Sequence, residues 1–164
     1  MRPTKIISGG QTGVDRAALD AAITLGIPHG GWCPRGRLAE DGPIPERYLL
    51  VEVLTSSYPA RTRRNVEEAD RALIVVELLS DLHGGTALTR DLCLRMNKPY
   101  AIVQIGPDRA AAFAWPFLEA GTLLVAGPRE SKRPGIHAKA LAFLLELLGE
   151  REPALTSLGG PRRP

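Results

Sequence analysis

Three short stretches place glycine beside groups that can hold an anion: Ser8-Gly9-Gly10-Gln11-Thr12-Gly13, His83-Gly84-Gly85-Thr86 and Ala126-Gly127-Pro128-Arg129-Glu130-Ser131. Glycine lets main-chain N–H groups approach a ligand with no Cβ in the way. A helix that follows such a turn adds orphan donors and a positive partial charge. Thr12 and Thr86 supply hydroxyls, Ser131 another, and Arg129 a planar fork suited to phosphate or carboxylate. One such turn is equally consistent with tight packing of a helix on a sheet, whereas three at one edge are not. The first is not a Walker loop, since no Gly-Lys-Ser/Thr follows, and its spacing departs from Gly-x-Gly-x-x-Gly, so NAD is not implied.

Acidic groups stand near these turns. Asp15, with Arg16, begins the segment after the first turn, as an acid/base group, a ligand contact or a carboxylate favourably placed at a helix start. A second group falls between residues 31 and 42. Trp32 could stack on a planar heterocycle, Arg35 and Arg37 could neutralise phosphate, and Glu40 and Asp41 could titrate as a carboxylate pair. The competing reading is a solvated charged loop with Trp32 as its anchor. His29, His83 and His137 share no metal-ligand spacing, and Cys33 and Cys93 stand far apart, so no protein-ligated metal is expected.

These residues need a frame, and the apolar pattern supplies one. Short apolar runs at 4–8, 49–54, 72–76, 100–104 and 122–126 read as strands. Amphipathic or polar segments at 14–25, 61–70, 84–96, 108–120 and 136–148 read as helices. Alternation of the two predicts an α/β fold with a mainly parallel sheet, whose strand ends gather the glycine turns on one edge. Residues 29–48, dense in glycine and proline, read as one long binding loop or lid. The expected organisation is one ligand-binding domain over 1–150 and a loose basic tail over 151–164.

Composition narrows the function classes. An apolar fraction of 44% with 24% charged residues allows a buried core. With a net charge of only +3 and 5% aromatic residues, there is no basic stripe or stacking platform for nucleic acid. No apolar run is long enough to span a bilayer, and residues 1–7 lack a signal-peptide core, so a cytoplasmic location is expected.

The stretch from Ile7 to Leu19, Gly31-Trp32-Cys33-Pro34 with Ala39-Glu40-Asp41-Gly42, Arg61-Thr62-x-x-Asn65-Val66, Gly84-Gly85-Thr86-x-x-Thr89 and the run from Val125 to Ser131 together resemble the "putative molybdenum carrier" family. The matches run in order to about residue 148. That family is similar to a Rossmann-like superfamily containing the Lonely-Guy hydrolases, often misnamed lysine decarboxylases. The resemblance implies a Rossmann-like three-layer sandwich with helices on both faces, a homo-oligomer (dimer or tetramer) and a phosphorylated small molecule held across the glycine turns. The family's name implies molybdenum cofactor, a pterin with a terminal phosphate, as the ligand of a non-catalytic carrier. The hydrolase relatives carry Pro-Gly-Gly-x-Gly-Thr and then a catalytic glutamate. Here the second glycine is missing and Thr89 stands near the acid's place. That departure counts against nucleotide phosphoribohydrolase activity, though Asp15, Glu40 or Asp41 could substitute. A nucleotide-sensing module is the third expectation.

Overall fold

The computed structural model describes residues 2–106 and 121–149. The helix expected at 108–120 and the tail at 151–164 lie outside the described residues.

Five parallel strands form the main sheet: β1 (Lys5–Ile7), β2 (His29–Gly30), β7 (Arg71–Val76), β8 (Tyr100–Gln104) and β9 (Thr122–Ala126). Their order across the sheet is β2-β1-β9-β7-β8. Starting from central β9, the chain steps outward through β1 and β2 on one side and through β7 and β8 on the other. This is the doubly wound order 3-2-1-4-5 with the usual first strand supplied last. The strand order therefore reverses between β9 and β7, where a crevice opens beyond the carboxyl ends of both strands.

Strand side chains alternate between two buried faces. Ile6, Leu73, Val75, Leu123 and Val125 pack with α1 (Val14–Leu25) and α4 (Ile136–Gly149) in one core. Ile7, Ala72 and Leu124 pack on the opposite face with Val66 of α2 (Tyr58–Glu68) and Leu92 and Cys93 of α3 (Gly84–Arg95). A parallel strand covered on both faces loses its polar alternation, which is why residues 72–76 are apolar throughout. The three-layer arrangement matches the sequence expectation.

Two local expectations change. α2 starts at Tyr58 rather than at 61, because Ser57 caps it, its hydroxyl accepting from the Ala60 N–H at 3.4 Å, and Pro59 suits the first turn. Residues 29–48 are not one irregular loop. They contain edge strand β2, then β3 (Trp32–Cys33), and the hairpin strands β4 (Leu38–Ala39) and β5 (Gly42–Pro43). β6 (Val51–Glu52), expected at 49–54 as part of the framework, pairs only with β3, outside the main sheet. This excursion has its own core, in which Cys33, Ile44, Tyr48 and Leu50 pack on Leu19 of α1. Fully burying side chains of this size contributes roughly 1.5–3 kcal/mol each, enough to hold an excursion with little regular structure.

Candidate functional site

The crevice between β9 and β7 is a cleft of about 120 Å³. The N-terminus of α3 opens into it through Gly84, Gly85 and Thr86, and Gln11, Asp15, Arg61, Arg129 and Lys132 are among its lining residues. His83 precedes the helix in an extended conformation and gives it no side-chain cap. Nothing lies within 4 Å of where a Cβ on Gly84 or Gly85 would point. The first turn of α3 thus has room for a side chain at both glycines and no side-chain cap, at the positive end of a helix dipole.

Gln11, which lines the same cleft, carries a further unengaged donor. The Gln11 side-chain oxygen accepts from the Thr12 N–H at 3.0 Å and from the Glu40 N–H at 2.9 Å. Two donors on that oxygen fix which end of the amide is which. Gln11 Nε2 is buried and has no hydrogen-bond partner, and the same is true of Arg61 Nε. Buried polar groups left without partners are costly.

Arg61 crosses from α2 over Gly9, where any side chain would overlap its guanidinium, and pairs with Asp15 at 3.1 Å. Asp15 also accepts from the Gln11 N–H at 3.3 Å. Burial pushes the Asp15 carboxyl above the ordinary carboxylate range, and the Arg61 charge opposes that shift without cancelling it. Tyr58 lies below both cleft arginines, with its ring centre 5.9 Å from the Arg61 guanidinium carbon and 5.7 Å from that of Arg129.

The other predicted residues sit elsewhere. Gly10 packs against Leu50 and Ile44, and Gly13 against the Pro128 carbonyl at φ +79°. Thr12 is turned toward the hairpin tip. Its hydroxyl donates to the Glu40 carboxylate and accepts from the Glu130 N–H at 3.2 Å. Ser131 gives the same carboxylate both its hydroxyl and its N–H, the latter at 3.1 Å, and Arg129 stands 3.8 Å away. Burial would raise the Glu40 carboxyl, but the Ser131 and Thr12 hydrogen bonds and the Arg129 charge outweigh it and hold it below its usual range. Arg16 grips Asp41 with both guanidinium nitrogens, which lowers the Asp41 carboxyl too.

Trp32 lies on the α2 side, with Nε1 donating to Glu68 at 2.6 Å and Arg64 stacked 4.6 Å over its ring. Arg35 is exposed beside Glu52 and Leu54, away from the cleft. Arg37 braces the excursion, donating to the carbonyls of Ile44, Pro45, Tyr48 and Leu50.

Sequence reasoning missed Tyr58, Lys132 and Asp81. Asp81 is buried in the cleft wall, accepts from the Glu77 and Leu78 N–H groups and pairs with Arg133. Arg133 is 52 residues away, and no local spacing signals that contact. Among the described residues no group of three or more His, Cys, Asp or Glu could hold a metal ion, and no helix is long and apolar enough to cross a membrane.

Comparison with known proteins agrees with this architecture. The model of one family, described as the circularly permutated YpsA SLOG family, matches residues 6–148. A crystal structure of a "putative molybdenum carrier protein" from Syntrophus aciditrophicus SB is similar at 43% identity and a TM-score of 0.80, over 88% of this chain and 94% of that one. No curated protein matches.

Proposed function

This chain belongs to the circularly permutated YpsA SLOG family, and from that premise we propose that it is a ligand-binding protein that seats the phosphate of a small molecule on the N-terminus of α3. One observation carries the reading. The uncapped start of α3 (Gly84, Gly85 and Thr86) and Gln11, whose buried Nε2 has no partner, line a single cleft with Arg61, Arg129 and Lys132. Helix-end donors beside cations favour an anion, and arginine forks favour phosphoryl oxygens.

The cleft's size refines the ligand. About 120 Å³ is well under the ~300 Å³ at which sites for whole small molecules begin. It accommodates a phosphoryl group, so the remainder of the ligand lies across the mouth. Beside the lining arginines Arg61 and Arg129 stands the Tyr58 ring, a planar group that a heterocycle reaching out of the cleft could meet.

The similar structure's name points to molybdenum cofactor, and this donor set fits the terminal phosphate of such a pterin. In a carrier, Gly84–Thr86, Gln11 and the cleft cations would hold the phosphate while the cofactor keeps its own redox chemistry. The same cleft suits a nucleotide monophosphate. A second reading, N-glycosidic cleavage of a nucleotide, draws on one observation: Asp15 is a buried carboxyl in the cleft whose proton affinity is raised.

Native mass spectrometry after expression in a host that makes the cofactor tests the carrier reading. A bound phosphorylated pterin or nucleotide that disappears in Gly85→Ala is the expected result. Protein that emerges without ligand and binds neither AMP nor inorganic phosphate in calorimetry overturns it. Release of free base from AMP, abolished by Asp15→Asn, would replace the carrier with the hydrolase.

A further inference from the structure

The Glu40 carboxylate is seated as a bound ligand would be. Hydroxyls from Thr12 and Ser131 and the Ser131 N–H donate to it, and the Arg129 guanidinium faces it. These groups come from the turns after β1 and β9, and none is a sequence neighbour of Glu40. Beside it, Asp41 occupies the fork of Arg16. Both acids form the two-residue tip of the β4–β5 hairpin, which has only two residue pairs, Leu38 with Pro43 and Ala39 with Gly42. A hairpin of that length has little stability of its own. Its base is tied down through Arg37, and its tip is held by the two carboxylates and by the Glu40 N–H, which donates to Gln11 Oε1 at 2.9 Å. The tip lines a cleft of about 610 Å³, shared with Tyr48 and His137, which is separate from the α3 cleft and within the usual size of a small-molecule site.

We propose that the Glu40-Asp41 tip is an intramolecular stand-in for an anion, filling a second oxyanion site made by Thr12, Ser131, Arg129 and Arg16. A phosphoryl group arriving in the larger cleft displaces the tip. Glu40 then leaves two hydroxyls, one amide and a guanidinium to the newcomer, and Asp41 releases the second guanidinium. The hairpin swings from its Arg37-braced base, so affinity is reduced by the fraction of time the tip is closed. A tip closed nine-tenths of the time costs an incoming anion about tenfold in apparent affinity.

Calorimetric titration with inorganic phosphate separates this site from the α3 cleft. Glu40→Gln and Glu40→Ala are expected to take up a phosphate at least about tenfold more tightly than the unaltered protein does at this site. Adding Ser131→Ala to either variant should erase the gain, whereas adding Lys132→Ala, which alters only the α3 cleft, should leave it. Equal affinity in all forms, including no binding in any, overturns the proposal, as does a gain that survives Ser131→Ala. Loss of the fold in both Glu40 variants, judged by circular dichroism, also overturns it, because Glu40 would then be a fixed clamp. Failure of phosphate to occupy the α3 cleft leaves the predicted gain intact, so the two readings fail separately.

Discussion

The turn after β1 and the first turn of α3 each carry a glycine pair with a threonine within two residues of it, yet they stand in opposite physical situations. In the first, a side chain on Gly9 would overlap Arg61, one on Gly10 would meet Leu50, and one on Gly13 would meet the Pro128 carbonyl. Three donors along it are engaged as well: the Gln11 N–H by Asp15, the Thr12 N–H by Gln11 and the Val14 N–H by Pro128. In the second, a Cβ on Gly84 or Gly85 would meet nothing, and the helix end carries no cap. Glycine in the first turn lets protein approach protein. In the second it leaves room for something else.

The largest expected effect comes from enforcing that difference with a methyl group. Gly127, in the turn after β9, is enclosed like Gly9, and a Cβ there would overlap the Val75 carbonyl and the Val14 side chain. Neither backbone nor buried core can yield easily, so Gly127→Ala should destabilise the fold by about 3 kcal/mol, measured as a lowered midpoint in urea denaturation. Gly85→Ala is the counterpart in the open turn. Its unfolding midpoint should hold or rise, since alanine is the better helix former, while its phosphate affinity falls about tenfold, or 1.4 kcal/mol. If Gly85→Ala instead unfolds the protein and keeps its affinity, the two turns are not different in kind.

A smaller effect separates the tip carboxylates from Asp15 by pH. Glu40 and Asp41 are held below their ordinary values of 4.5 and 3.8, so they add stability at neutral pH that is lost as pH falls below those values. Asp15 is raised above 3.8, so its contribution runs the other way, greatest in acid and lost as pH rises through its folded value. Thermal midpoints from pH 7 to pH 3 should therefore fall less steeply in Glu40→Gln than in the unaltered protein. An unchanged acid limb would mean that the Glu40 contacts add no stability.

The smallest effect is at Trp32. Trp32→Phe removes the indole donor to Glu68, a half-exposed contact worth about 1 kcal/mol or less. Ligand affinity should not change, because Trp32 contacts Arg64, Asn65 and Glu68 and does not line the α3 cleft. A loss of affinity in calorimetry would bring Trp32 back to the site.

Much of the framework was legible because its signals are local. Residues 72–76 are apolar throughout and pack on both faces, and residues 14–25 repeat their apolar positions at helical spacing and end at Gly26 in a left-handed cap. The start of α2 was misplaced because its rank of polar residues hides the Ser57 cap. Residues 29–48 read as one loop because strands of two residues have no period to detect. Site residues were legible as a set of turns but not as roles. Trp32 and Arg35 have the right chemistry for a ligand, but their positions depend on the β3–β6 pairing, which brings residues 32 and 51 together. Tyr58 was overlooked because the cleft arginines it meets are Arg61, one helical turn away, and Arg129, 71 positions along the chain.

Periodicity and turn chemistry alone determine that this chain alternates strands with helices and sets glycines at the strand ends, since both act over a few residues. Only the tertiary structure decides that the last strand takes the centre of the sheet, placing the reversal of strand order between β9 and β7. It also decides which donors remain for a ligand. The Ser131 N–H is occupied by a carboxylate 91 residues away while the first turn of α3 has no side-chain cap and lines the cleft, because hydrogen-bond satisfaction is settled by whichever distant groups the fold brings within about 3 Å.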